Sequence, residues 1–140
     1  MSFLSIFVLY IICEVFELFY IHKGDTIGSY IANLLLLYKR GILRFLCLHP
    51  TFYIAIFTAI YLDTYNVLAM TLIAFKALDM VTKLILLQKI ENKEPLGAFA
   101  NIIERNVDIP FFIKVTASLL YIGLFHAAFG PALDNLHHMV

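Results

Sequence analysis

Residues 42–87 form an almost continuously apolar run of 46 residues, whose one polar cluster near the middle is Asp63-Thr64-Tyr65-Asn66. A bilayer hydrocarbon core about 30 Å thick takes roughly 20 apolar residues per helix. The run is too long for one such helix and suits two, at 42–62 and 67–87, with the turn at the polar cluster. Pro50 falls inside the first, where it is expected to kink the helix and free a carbonyl near Leu46. Further spans are expected at 3–21 and 111–130, the last stopped by Gly130-Pro131. The competing arrangement has three spans, with 51–75 as one helix and Lys76 onward at the surface.

The composition agrees. Hydrophobic residues make up 62% of the 140 and charged residues 14%, against about 45–50% and 25% in soluble proteins. A chain this short has too much surface to hide so much apolar mass in water. It is too apolar for disorder. Ten Lys and Arg balance ten Asp and Glu, so no basic nucleic-acid surface is indicated. The first span is too long, and too acidic at its end, for a cleaved signal peptide.

Two shorter helices are expected at the membrane surface. One starts near Ile27, N-capped by Asp25 or Thr26, and reaches Lys39-Arg40 before Gly41. The other covers 95–107, with Pro95 in its first turn. Its Leu96, Phe99, Ile102 and Ile103 share one face, opposite Asn101, Glu104 and Arg105. The expected fold is therefore all-α: a single polytopic bundle of four transmembrane helices plus two short amphipathic helices on the cytoplasmic side.

With four spans, Lys23, Lys39, Arg40, Arg44, Lys83, Lys89, Lys93, Arg105 and Lys114 fall on one side, nine of the ten basic residues. The positive-inside rule makes that side cytoplasmic and puts both termini outside, in a bacterial inner membrane. Tyr20, Tyr38, Tyr61 and Tyr65 fall near the interfaces, where they serve as anchors in a chain without Trp.

Ionisable residues inside a membrane are costly and mark function or pairing. The first span carries Glu14 and Glu17; the third carries Lys76, Asp79 and Lys83. At 1.5 Å per residue, Glu14 and Lys76 lie about 15 Å below the outer edge, and Glu17 and Asp79 about 20 Å. Spacings of three and four put each set on one helical face, so an ion-pair network between the two helices is expected. Its three acids and two bases leave one negative charge, which calls for a proton or a cation. That points to a proton- or cation-coupled transporter or channel subunit. The same charges could instead hold helices in register in a non-catalytic structural or assembly subunit of a larger membrane complex.

Other polar residues carry less. His49 and His126 differ in depth by about 12 Å, which disfavours a haem held between them, and polar contacts to neighbouring carbonyls or hydroxyls are expected instead. His137-His138 read as a solvated tail. Cys13 and Cys47 read as buried thiols. No cofactor or metal motif is present, and no catalytic one. Gly123, Ala127 and Gly130 in the last span, and Ala55 and Ala59 in the second, have small-residue spacing for close helix packing. Four short spans leave little room for a central pathway, so transport would need a homo-oligomer or a membrane-protein partner within the lipid bilayer.

Two local resemblances stop short of a family. Cys13-Glu14-Val15 resembles the membrane glutamate of small multidrug-resistance exporters over that part of the first helix alone. The chain lacks Trp and their glycine-rich packing pattern, and its charge asymmetry opposes dual topology. Residues 97–105 resemble a motif of lipoprotein signal peptidases, but Glu104 stands at the motif aspartate and no Asn-x-x-Asp follows.

Overall fold

The computed structural model describes residues 3–97 and 99–139, with side chains as far as Pro131. These residues form helices α1 (Phe3–Tyr20), α2 (Ile27–Lys39), α3 (Ile42–Cys47), α4 (Pro50–Tyr61), α5 (Val67–Glu91), α6 (Phe99–Arg105) and α7 (Phe111–Met139). Among the described residues there is no strand, only an isolated antiparallel bridge between Thr26 and Asp108. The fold is all-helical, with α1, α4, α5 and α7 packed on one another and α2 lying against α3, α5 and α6.

The helix starts follow ordinary capping chemistry. Thr26 caps α2, its hydroxyl accepting from the Ser29 amide. Asn66 caps α5 by accepting from Ala69 N–H at 2.8 Å, so the 63–66 cluster is indeed the turn. α5 runs to Glu91, four residues beyond the expected 87. Asn66 also donates from Nδ2 to the Ala128 carbonyl at 2.8 Å, tying this turn to α7.

Residues 42–62 are not one kinked helix. The Leu48 amide is shared between the Arg44 and Phe45 carbonyls at 3.1 and 3.2 Å, a tightened last turn of α3. His49 then leaves helical geometry at φ −112° and ψ 62°, as a residue before proline is driven to do. Pro50 opens a new helix, where its missing N–H costs nothing. The Leu46 carbonyl, four residues before the proline, accepts the Tyr53 hydroxyl at 3.0 Å.

The last helix does not stop at Gly130-Pro131. α7 continues to Met139 with Pro131 inside it. Proline removes one amide donor and crowds the carbonyl four residues back. Such a position is tolerated where neighbouring groups re-satisfy the backbone, and Asn66 supplies a donor one carbonyl further on. The side chains of His137 and His138 lie outside the described ones. The amphipathic segment 95–107 shortens to α6, because Gly97 takes a left-handed φ of +58° and starts the helix late.

Two apolar cores stack along the bundle. The first gathers Ile6 and Tyr10 of α1, Ala55 and Ala59 of α4, Ala69 and Leu72 of α5, and Phe125, Ala128 and Phe129 of α7. The Tyr10 and Phe125 rings stack there with centroids 4.1 Å apart. The second gathers Ile21, Leu34, Leu37, Phe45 and Leu87. Along both α1 and α5 the buried charged residues fall between these cores: Glu14 and Glu17 on one, Lys76 and Lys83 on the other. Outside, the helices expose more than half of Leu4, Ile12, Phe19, Phe57, Leu78, Phe112, Leu119 and Leu120 to the surroundings. Charge inside and hydrocarbon outside is the inverse of a water-soluble domain.

By length and composition two helices can cross a membrane, α1 and α7 over Phe111–Pro131, while α4 is apolar but short. Ala55 and Ala59 are buried as close-packing residues. Gly123 and Ala127 are exposed, and only Gly130 of that stripe is buried. A side chain at Gly123 would meet nothing within 4 Å, so the stripe is not a close helix contact within this chain. Cys13 is half-buried and Cys47 is exposed, so the second thiol is not a core residue; both are free.

Candidate functional site

The charged layer separates into three arrangements. In the first, Lys76 Nζ meets Glu14 Oε1 at 2.5 Å, with the side chains 7% and 2% exposed. Tyr10, one helical turn before Glu14, donates its hydroxyl to the same oxygen at 2.9 Å. Lys76 Nζ also stands 3.9 Å from the Tyr121 ring centroid, a cation–π contact that gains strength when desolvated. This pair is sealed, and a buried charge deprived of its partner is expensive.

In the second, Lys83 Nζ donates to Asp79 Oδ2 at 2.7 Å on its own helix and lies 2.9 Å from His22 Nε2. An ammonium has only donors, so His22 accepts through Nε2 and carries its proton on Nδ1. His22 lies just beyond α1. Burial, then the Lys83 charge, pushes its pKa down to about 3. It is neutral at pH 7.

The third arrangement overturns the expected single network. Glu17 pairs with neither Lys76 nor Lys83, whose carboxylates are Glu14 and Asp79. Its Oε2 accepts the Thr51 amide at 3.2 Å, so a carboxylate from α1 sits on the first turn of α4. Helix N-termini carry a partial positive charge and orphan amides, and both favour that placement. Beside it His49 donates from Nδ1 to the Phe45 carbonyl, 2.9 Å away. His49 Nε2 and Thr51 Oγ1 are buried with no hydrogen-bond partner. His126 is elsewhere, its ring edge-on to Phe3 and Phe7 at 5.8 and 5.3 Å.

The first two arrangements border one cavity of about 240 Å³, lined by Glu14, His22, Lys76 and Asp79 together with Tyr30, Lys114, Ser118 and Tyr121. Asp79 is 44% exposed, in contrast to Glu14. Lys114, in the first turn of α7, donates to the Gly24 carbonyl across the mouth. Gly24 sits at φ +127°, and a Cβ there would fall 2.6 Å from the Tyr30 amide nitrogen, so glycine is required. The surrounding loops are stitched together. Ile27 N–H donates to the Val107 carbonyl at 3.0 Å and Ile109 N–H to the Asp25 carbonyl at 2.6 Å. Gly28 N–H donates to Asn106 Oδ1 at 2.8 Å. The α2 amides that its own helix leaves unpaired are thereby satisfied.

Beside this cavity lies a second, apolar one of about 360 Å³ between α5 and α7, lined by Phe75, Ala117, Leu120, Tyr121 and Leu124. Ala117 and Tyr121 border both. Tyr10, His22, Thr51 and Lys114 are the participants that sequence reasoning missed. Tyr10 alone left a signal, four residues before Glu14 on the same helical face. Among the described residues no three His, Cys, Asp or Glu side chains gather as a metal centre. No known protein family, curated protein or solved structure matches the chain.

Proposed function

We propose that this chain is a small integral membrane protein with four membrane passes, acting as a proton- or cation-coupled transporter or channel subunit. The observation that carries the reading is a carboxylate, Asp79, 44% exposed at a cavity within a charged layer that has apolar cores on either side. Ionisable groups at membrane depth face a bundle interior or a cavity and mark ion or proton pathways. α5 is about 37 Å long at 1.5 Å per residue, enough to cross, and Lys76 and Lys83 turn inward. The pair α3 and α4 makes the remaining pass as a broken helix, whose interruption is buried by α1. Broken helices at membrane depth recur at transporter sites. The lysine-rich side is cytoplasmic and both termini lie outside, in a bacterial inner membrane. One chain holds only a cavity, so a through-pathway takes a second copy or a partner.

The test is proton and alkali-cation flux in proteoliposomes. Flux that falls at least tenfold in Asp79→Asn supports the reading. Absence of flux from correctly inserted wild-type protein overturns it. The second reading is a non-catalytic assembly subunit, favoured by the sealed Glu14–Lys76 pair. A membrane partner that co-purifies with wild type and is lost in Glu14→Gln, with no flux in either, would establish it.

A further inference from the structure

The polar cavity and the apolar groove share Ala117 and Tyr121, so the two lie side by side along α5 and α7. The polar end has the Lys114 ammonium, the Asp79 carboxylate and the Ser118 hydroxyl; the apolar end has Phe75, Leu120 and Leu124. Phe75 and Leu120 are exposed, so the apolar end opens sideways, where a bilayer would lie. A water-soluble ion needs no such groove. A ligand with a charged head and a hydrocarbon tail fits both ends.

The dimensions run the right way for a lipid. Lys114 stands in the first turn of α7, and Leu124 is ten residues further along it. That is about 15 Å at 1.5 Å per residue, half of a hydrocarbon core about 30 Å thick. A head at Lys114 and a chain reaching Leu124 therefore occupy one leaflet.

The charges select the head. The acids and bases that line the polar cavity are Glu14 and Asp79 against Lys76 and Lys114. The lining is neutral as it stands. A headgroup with net charge would leave one charge uncompensated at low dielectric. Asp79 binds Lys83 through Oδ2, which leaves Oδ1 for an N–H donor. Lys114 suits a phosphate. We propose that the cavity and groove hold one phospholipid with a zwitterionic, primary-amine headgroup, its ammonium on Asp79, its phosphate on Lys114 and one acyl chain in the groove. The proposal rests on the membrane placement above but not on transport.

The test is native mass spectrometry of the full chain extracted from vesicles of equimolar phosphatidylethanolamine, phosphatidylglycerol and phosphatidylcholine with matched chains. The amine lipid is expected to be retained about tenfold over the choline lipid, the worth of one charge-assisted hydrogen bond. Asp79→Asn should erase that preference. Lys114→Gln should weaken retention of all three lipids. Leu120→Trp, which fills the groove at an exposed position, should lower retention of the full lipid while helicity by circular dichroism stays unchanged. Equal retention of amine and choline lipids, or preference for the glycerol lipid, overturns the proposal. Lipid selectivity without ion flux defeats only the transport reading. Flux without selectivity defeats only this one.

Discussion

Lys76 and Lys83 stand seven residues apart on α5, each paired with one carboxylate, and their surroundings differ sharply. The Glu14–Lys76 pair joins two helices, is 2% and 7% exposed, and is completed by Tyr10 and the Tyr121 ring. The Asp79–Lys83 pair lies along a single helix, and its carboxylate is 44% exposed. The same chemistry thus serves as a clamp in one place and as an accessible group in the other. Accessibility is set by what covers the oxygen, not by how deep the residue lies in its helix.

The contrast can be tested, beginning with the largest expected effect. Glu14→Gln should destabilise by about 3–5 kcal/mol, because it strands a buried ammonium. Lys76→Met added to Glu14→Gln should restore most of the loss, as a double-mutant cycle in detergent would measure. Equal costs for the single and double variants would show that the pair is not a clamp. Gly24→Ala should cost about 1–3 kcal/mol, since it forces a strained φ and a backbone clash beneath the carbonyl that Lys114 binds. Its melting temperature and the reactivity of Lys114 toward an amine reagent should change together.

Acid should weaken the open side next. His22 has a folded-state pKa pushed down to about 3 by burial and by Lys83, below the unfolded value of about 6.5. Between those values the unfolded chain binds the extra proton, so stability is lost as pH falls below about 6.5. The slope is up to about 1.4 kcal/mol per pH unit. Melting curves from pH 7 to 5 should show it, and His22→Gln should flatten it. The smallest effect belongs to Asp79→Asn, about 1 kcal/mol, because the Lys83 ammonium, though buried, keeps His22 Nε2 and the new amide oxygen as acceptors, and the lost charge is on the solvent-screened side of the pair. A loss as large as that of Glu14→Gln would erase the distinction between the two pairs.

Much of the fold was legible from the residues. The ends of α1, a cap for α2 at Asp25 or Thr26, the turn at 63–66 and the freed Leu46 carbonyl all follow from local rules. The level of the charges was legible too, since rise per residue fixes depth. Their partners were not. Pairing depends on how each helix is rotated about its axis, which depth does not specify. Glu17 finds Thr51 only because the chain breaks between Cys47 and Pro50, and a kinked but continuous helix would have offered no free amide. Lys114 was counted only for its charge, because its acceptor is a carbonyl in a loop 90 residues earlier. The end of α7 was misplaced because Gly130-Pro131 is a strong local stop signal, overridden here by helix propagation on both sides.

The seam between α2 and the α6–α7 connection has a consequence for biosynthesis. Gly28 waits for Asn106, 78 residues away, and Ile27 waits for Val107. Until the ribosome has delivered that stretch, the first turn of α2 has no tertiary acceptors, whatever α1, α4 and α5 have already done. Closure of non-local contacts is slow compared with helix formation. The seam beside the charged cavity therefore closes late, after the six helices that precede Asn106 have been made, and only then can α7 complete the site.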